Sequence, residues 1–457
     1  MNLSADGAGP ELVDVDVEAL LARDGVPGCS VAVLEGGEIV FERGFGTSRV
    51  SSGDLVTPTT RMQACSMSKP VSVLAALRLV EQGLLDLDAD VSDYLTRWTL
   101  PANGDWRPRV TLRQLASHTA GLTAHAGFPG HRRGAAVPSL VEVLSGTHPA
   151  NAPGVRVDMV PGIQFRYSGA GTTLIQLLME EVTGMSTTDI LTELVLEPLD
   201  MRASSFVQDL DDDERAHGHL AGGKPVPGGW RVQPEQCAAG LWTTPADYLR
   251  FMNGIQRAHA GDIDGPITRS MARELLTPVA PLPSGRDMTG MSHIGLGFFI
   301  ATRDGSATWF GHTGSNVGFV CASMASASGG QRGTVVMLNS DDGTPAAKLL
   351  LQSIIRSRHW TDTDLDMQPP RDLPAVVGSH AGTYSNEDGL SVGLADNDGE
   401  IEVTVPGQPP IQLRFVDATT LHTETLELRV RLEADGSISL EQDGHLTRLQ
   451  RATSSAR

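Results

Sequence analysis

The stretch ACSMSKPVSVLAAL, residues 64–77, sets a serine and a lysine three positions apart at the head of an apolar run. Val71, Leu74, Ala75, Leu77, Arg78 and Val80 mix apolar and exposed positions at helical spacing, and the run stops at Gly83, which predicts a helix beginning close to Ser66. Pro70 suits that helix only within its first turn, where a missing N–H is no loss. Residues i and i+3 share a helix face, so the Lys69 ammonium can reach the Ser66 hydroxyl. One reading is an N-terminal capping serine with a solvated lysine. The other is a nucleophile beside a desolvated amine that serves as its base.

Outward from this helix the pattern is mixed. Residues 29–46, CSVAVLEGGEIVFERGFG, alternate β-branched and apolar residues on both sides of Glu35-Gly36-Gly37 and predict a hairpin. Helical segments are expected at 111–117, 139–145, 170–183, 187–197 and 244–257, separated by stretches such as THPANAPG and GGKPVPGG. Strand signals return at 296–302, 307–311, 317–324 and 334–339, and a helix is expected at 345–358 with Pro345 in its first turn. Residues 366–378, DMQPPRDLPAVVG, have linker composition. Beyond them Ile401/Val403/Val405, Leu426/Leu428/Val430/Leu432 and Ile438/Leu440 alternate as strands do, with turns expected at Asn397-Asp398-Gly399 and Asp435-Gly436. The expected fold class is therefore α/β of the α+β type: an antiparallel sheet flanked by helices, a largely helical subdomain, and a small all-β C-terminal domain. Residues 1–365 form the first domain, with sheet from 20–60 and 290–360 and helices over 66–257; residues 379–457 form the second.

The chain has 457 residues with 55 acidic against 35 basic, a formal net charge of −20. Such a surface repels phosphate backbones and anionic membranes, so nucleic acid is excluded as an expected partner. The opening MNLSADGAGPELVDVDVEAL has neither a basic start nor an apolar core, and no segment reaches the about 18 apolar residues of a membrane helix, so a cytoplasmic protein is expected. Cys29, Cys65, Cys237 and Cys321 show no CxxC pairing and are expected as reduced, mostly buried thiols. The 13 histidines include His118, His125 and His131 but show no metal-binding spacing; no metal and no cofactor are expected. His118, in SHTAG, is expected to hold a turn by hydrogen bonds.

Two later stations bear on the serine. RYSG, 166–169, offers the phenol of Tyr167 for proton shuttling; GHTGS, 311–315, lies between strand signals, its glycines admitting close backbone approach and His312 adding a polar side chain. SxxK, then YSG, then HTG in this order resembles the serine β-lactamase-like hydrolases, the branch holding class C β-lactamases, D-Ala-D-Ala carboxypeptidases, D-aminopeptidases, esterases and acyltransferases. GVPGCSVAVL (25–34), LVEQGLLDLDADV (79–91), LRQLASHTAGL (112–122), PGIQFRYSGAG (161–171), AAGLWTTPADY (238–248) and GLGFFI (295–300) extend the resemblance over roughly 20–360.

The resemblance implies an acyl-enzyme on Ser66, proton movement by Lys69 and Tyr167, and an oxyanion held by the backbone N–H groups of Ser66 and Ser315. It places His312, Thr313 and Gly314 along one wall, His125 and Trp242 in the cleft, and Gly169 where many relatives carry an asparagine amide. His312 stands where many lactamases have a lysine and is expected to be partly charged near neutral pH. The C-terminal unit is expected to be a lipocalin-like barrel. The expected function is a serine hydrolase or transacylase acting on a small ester, amide or peptide. Alternatives are a biosynthetic acyltransferase or peptide-cyclising, thioesterase-like enzyme, which would use a carrier-bound acyl group, and a non-catalytic acyl-binding protein. Cys65 is expected to pack rather than react.

Overall fold

Gly36 and Gly37 sit at φ +59° and +84°, the left-handed pair that a two-residue turn between twisted strands requires. This turn joins β1 (Gly28–Glu35) to β2 (Glu38–Arg49). The structure is a computed structural model. It describes residues 15–123, 129–208, 214–262, 264–283 and 285–365, then 380–386, 391–397, 400–406, 410–415, 420–423, 428–433, 435–442 and 445–452. Two compact units divide the chain, Met1–Met367 and Gln368–Arg457.

In the first unit the hairpin belongs to a nine-stranded sheet. Its other strands are β3 (Asp54–Leu55), β4 (Ala280–Pro281), β5 (His293–Ile294), β6 (Phe299–Arg303), β7 (Ser306–Asn316), β8 (Phe319–Ser326) and β9 (Gly333–Leu338). Their order is β4-β5-β6-β7-β8-β9-β1-β2-β3, and every ladder is antiparallel. HTGS, expected between strands, lies within β7, and β4 falls outside the expected 290–360.

Side chains alternate across a strand, so β1 reads as two faces. Cys29, Val31 and Val33 pack with Val17, Leu20 and Leu21 of α1 (Val17–Asp24) and with Ala346, Leu350 and Ile354 of α10 (Gly343–Ser357). Ala32 and Leu34 face the opposite core, shared with Leu249 and Met252 of α8 (Pro245–Ala260). With both faces covered, β1 is a nearly unbroken apolar run. The expected start of α10 at Pro345 moves two residues earlier, to Gly343.

Between these elements lie α2 (Ser68–Glu81), α3 (Leu112–Ala116), α4 (Leu140–Ser145), α5 (Gly169–Thr183), α6 (Thr187–Leu191), α7 (Gln236–Ala239) and α9 (Arg269–Leu276). Helix α2 is buried continuously from Ser68 to Leu77, as befits a helix apolar all round. Each fully buried Leu or Val contributes about 1.5–3 kcal/mol, so α2 anchors the helical region. Thr111 and Ser139 cap α3 and α4 with reciprocal side-chain and backbone bonds, the capping box.

The second unit is a closed antiparallel barrel of eight strands: β10 (Gly382–Ser385), β11 (Ser391–Asn397), β12 (Glu400–Thr404), β13 (Ile411–Phe415), β14 (Thr420–Thr423), β15 (Leu428–Leu432), β16 (Ile438–Gln442) and β17 (His445–Arg451). Strand β10 pairs with β17 to close it. Ile401 and Val403, Leu428, Val430 and Leu432, and Ile438 point into one buried cluster with Tyr384 and Leu449. Asp398 and Gly399 of the expected turn, and Leu426, lie outside the described residues.

Asn339, just past β9, is fully buried. Its Nδ2 approaches the carbonyls of Thr47 (3.1 Å), Ser48 (3.3 Å) and His217 (3.1 Å), tying the end of β2 to the loop after α6. Asn339→Ala strands those acceptors, and the expected loss is about 1–3 kcal/mol, read from urea unfolding. An unchanged midpoint refutes this role.

Candidate active site

From Met62 to Leu77 every residue is buried except Ser66, which is half-exposed. The cause is local. A short ladder pairs Met62–Gln63 with Trp242–Thr243, after which Cys65 adopts φ +51°, a left-handed conformation that costs a non-glycine residue about 1–3 kcal/mol. One 3₁₀ turn, Cys65–Met67, then leads into α2. Ser68 Oγ donates to Cys65 O at 2.6 Å and accepts from Leu241 N at 3.0 Å, while Tyr248 donates to Met67 O at 3.1 Å. The turn is held from below and Ser66 is lifted from the core. Met67 occupies the cap position of α2 without a side-chain bond, so the capping-serine reading does not describe Ser66.

Lys69 Nζ donates to Ser66 Oγ at 2.9 Å and to Ala238 O at 2.9 Å. Its side chain is 97% buried, and desolvation pulls its pKa down from 10.5 to about 7 against a smaller opposing influence of the Cys65 and Cys321 thiols. The amine is thus available unprotonated near neutral pH. Burial pushes the Cys65 thiol well above its ordinary value, which keeps it inert beside the serine.

Tyr167 comes from the residues just before α5. His118, at φ +54°, accepts from Ser168 N through Nδ1 at 3.2 Å and from Arg166 N through its carbonyl at 2.8 Å. This fixes the ring with its proton on Nε2. Arg166 donates to Leu122 O at 2.8 Å and Gly121 O at 2.9 Å, and pairs with Asp158. His118 was expected to hold a turn by hydrogen bonds; those bonds reach across to RYSG and clamp it. Beyond that expectation, the His118 ring lies 4.4 Å from that of Tyr167, and Lys69 Nζ stands 4.9 Å from the Tyr167 ring centre.

Strand β7 supplies the third station. Its pairing with β8 ends at Asn316↔Phe319 around the turn Val317-Gly318, with Ser315↔Val320 and Gly314↔Cys321 before it. Closed and open pairs alternate in an antiparallel ladder, and a two-residue hairpin begins with a closed pair. Ser315 therefore holds an open position, its N–H and C=O directed away from β8. On that side β6 pairs only as far as Gly311. Gly314 presses on the nucleophile turn: a Cβ there would fall 2.8 Å from Ser66 N and 2.7 Å from Cys65 Cβ. Asn316 Nδ2 donates to Gln63 Oε1 at 2.7 Å and Ala239 O at 3.0 Å. Consecutive α7 carbonyls thus hold Lys69 and the end of β7.

His312 departs from expectation. It is buried, and desolvation, with Lys69 adding to it, lowers its pKa to about 3. Its Nδ1 bonds to Thr313 O, which assigns the proton to Nδ1. The imidazole is uncharged rather than partly charged. Trp242 also requires correction: it is fully buried, 5.3 Å from the Trp230 ring and 5.7 Å from that of Phe319, with the Arg215 guanidinium 4.7 Å over it. It supports the floor and cannot line a cleft. Thr313 is half-buried and Ser315 exposed. Gly169 opens α5 and is buried, and His125 lies outside the described residues. Among the described residues no group of three or more His, Cys, Asp or Glu is placed to hold a metal ion, and no helix is long and apolar enough to cross a membrane.

The sequence profile of the family described as Beta-lactamase matches residues 13–356. Protein flp of Staphylococcus aureus (strain MRSA252) is 28% identical over 244 residues, covering 52% of this chain and 45% of its own length. The D-aminopeptidase of Brucella ovis is 25% identical over 343 residues, 72% of this chain and 59% of its own. The chain thus spans about half the length of these curated relatives. Among solved structures, the octameric penicillin-binding protein homologue from Pyrococcus abyssi shares the fold at a TM-score of 0.61 and 19% identity, over 95% of this chain and 99% of that one.

Between about pH 7 and 10.5 folded Lys69 binds fewer protons than the unfolded side chain, so its contribution to unfolding free energy rises with pH across that window. Wild type should gain on Lys69→Met by up to about 1.4 kcal/mol per pH unit there, in paired urea titrations. A pH-independent difference would place the folded pKa at its ordinary value.

Proposed function

The chain belongs to the beta-lactamase family, and from that premise we propose that it is a serine hydrolase that opens a small ester or amide through an acyl-enzyme on Ser66. The observation that carries this reading is the 2.9 Å contact between Ser66 Oγ and the buried amine of Lys69. Neutral Lys69 takes the hydroxyl proton as Oγ attacks the substrate carbonyl. The oxyanion then forms between the backbone N–H groups of Ser66 and Ser315. The position of the Ser315 amide, turned from β8 beside the tight Gly314 contact, supports that assignment. Tyr167, packed over Lys69, passes the proton to the departing oxygen or nitrogen, whose bond to the acyl carbon breaks. Water then attacks the acyl-serine, gives a proton back through the same pair and releases the acid.

A D-aminopeptidase among the relatives supports amides as well as esters. Neutral His312, which cannot attract an anion, serves as part of the wall.

Incubation with a fluorophosphonate should add one adduct mass at Ser66 in wild type and none in Ser66→Ala. With p-nitrophenyl acetate, kcat/KM should fall below about pH 7 as Lys69 becomes protonated and can no longer accept. Lys69→Ala should lower it by about 10²–10⁴-fold. Full turnover by Ser66→Ala would end the proposal. An added amine captured as amide in excess water would assign transfer instead of hydrolysis.

A further inference from the structure

Tyr167 and His312 belong to a cluster of five rings that sequence motifs do not reveal. Phe299, on β6, lies 4.9 Å from the His312 ring and stacks 6.3 Å from that of Tyr167. Phe165 meets Phe299 edge-on at 6.3 Å and His118 at 6.0 Å. Phe165 and Tyr167 are only half-buried, and both pack against the buried cluster that contains Phe299. Two residues before Phe165, Ile163 is 72% exposed.

The electrostatics agree. Both histidines are held neutral by burial, and each has its Nδ1 committed to backbone, His118 to Ser168 N and His312 to Thr313 O. Arg166, the neighbouring cation in the chain, spends its guanidinium on Leu122 O, Gly121 O and Asp158. Lys69 is buried behind Ser66. In the acyl-enzyme reading, on which this rests, Tyr167 protonates the leaving group, so whatever packs around Tyr167 is what that group meets. An apolar group gains contact there, whereas a carboxylate loses water and, among the described residues of this wall, meets no cation other than Lys69, whose amine is already bonded to Ser66 and Ala238.

We infer that the wall presented by the half-buried Phe165 and Tyr167 and backed by the buried rings of Phe299 and His312 selects substrates whose leaving group is uncharged and apolar and rejects one that carries a carboxylate. Phe165 and Phe299 are its specificity-determining residues.

The test compares phenyl acetate with 4-carboxyphenyl acetate, which share an acyl group and have leaving phenols of similar acidity. Steady-state kinetics and the mass of the Ser66 adduct are followed together. Phenyl acetate should be favoured at least tenfold in kcat/KM. Phe299→Ala should raise KM for phenyl acetate at least fivefold with kcat little changed and should narrow the preference; Phe165→Ser, at a half-buried position, reads the same wall should Phe299→Ala fold poorly. His312→Lys should move the preference toward the carboxylated ester. Equal or better acylation by 4-carboxyphenyl acetate, or a ratio unmoved in both phenylalanine variants, overturns the inference while leaving the acyl-enzyme intact. Absence of a Ser66 adduct with either ester overturns the acyl-enzyme and this inference together.

Discussion

A lysine side chain buried without a carboxylate partner among the described residues is the constraint around which the first unit is organised. Lys69 bonds to the hydroxyl of Ser66 and the carbonyl of Ala238, each at 2.9 Å. Taking its charge out of water is costly, and the molecule meets that cost by letting the proton leave near neutrality. The burial that destabilises the charged form is the burial that leaves the amine unprotonated, and so free to accept a proton, where it is needed. Helix α2, enclosed on all sides, supplies the apolar surroundings.

The groups that hold this arrangement are mostly backbone. Ala238 O and Ala239 O, one residue apart in α7, receive Lys69 and Asn316. The His118 carbonyl and Nδ1 fix the two amides flanking Tyr167. Gly314 lets β7 approach the nucleophile turn within distances no side chain allows. Segments far apart in the chain are thus brought together by contacts whose atoms every residue possesses, which lets loops around them vary while the geometry stays.

That division explains what the sequence disclosed. Ser66 and Lys69 were legible because an i, i+3 pair on a helix is a local relation, and Tyr167 and His312 because of their order in motifs. The β1–β2 hairpin and α2 were legible because turn glycines and apolar periodicity act over a few residues. Helix α7 was not assigned, since its contribution is two carbonyls and a four-residue helix leaves no periodic trace. Phe165 and Phe299, 134 positions apart by number, meet only through the register of β6 and the clamp on RYSG. Trp242 was misread as a cleft residue because the ladder with Gln63 that carries it beneath the site is tertiary. HTGS was expected between strands, its glycines admitting close backbone approach; it lies within β7, where that approach is to the nucleophile turn and demands Gly314.

The nine-stranded sheet ends on both sides in a strand of two residues, Ala280–Pro281 on one rim and Asp54–Leu55 on the other. On the first rim Pro281 removes a donor altogether, whereas on the second β3 pairs only at Thr47 and Arg49 and leaves Glu38–Phe45 of β2 without a ladder partner on that side among the described residues. The barrel closes on itself through β10 and β17. The barrel thus leaves, among its described residues, no strand for another molecule to register on, while the first unit guards its longer β2 edge with the exposed charges of Glu38, Glu42 and Arg43 instead of with a partner strand.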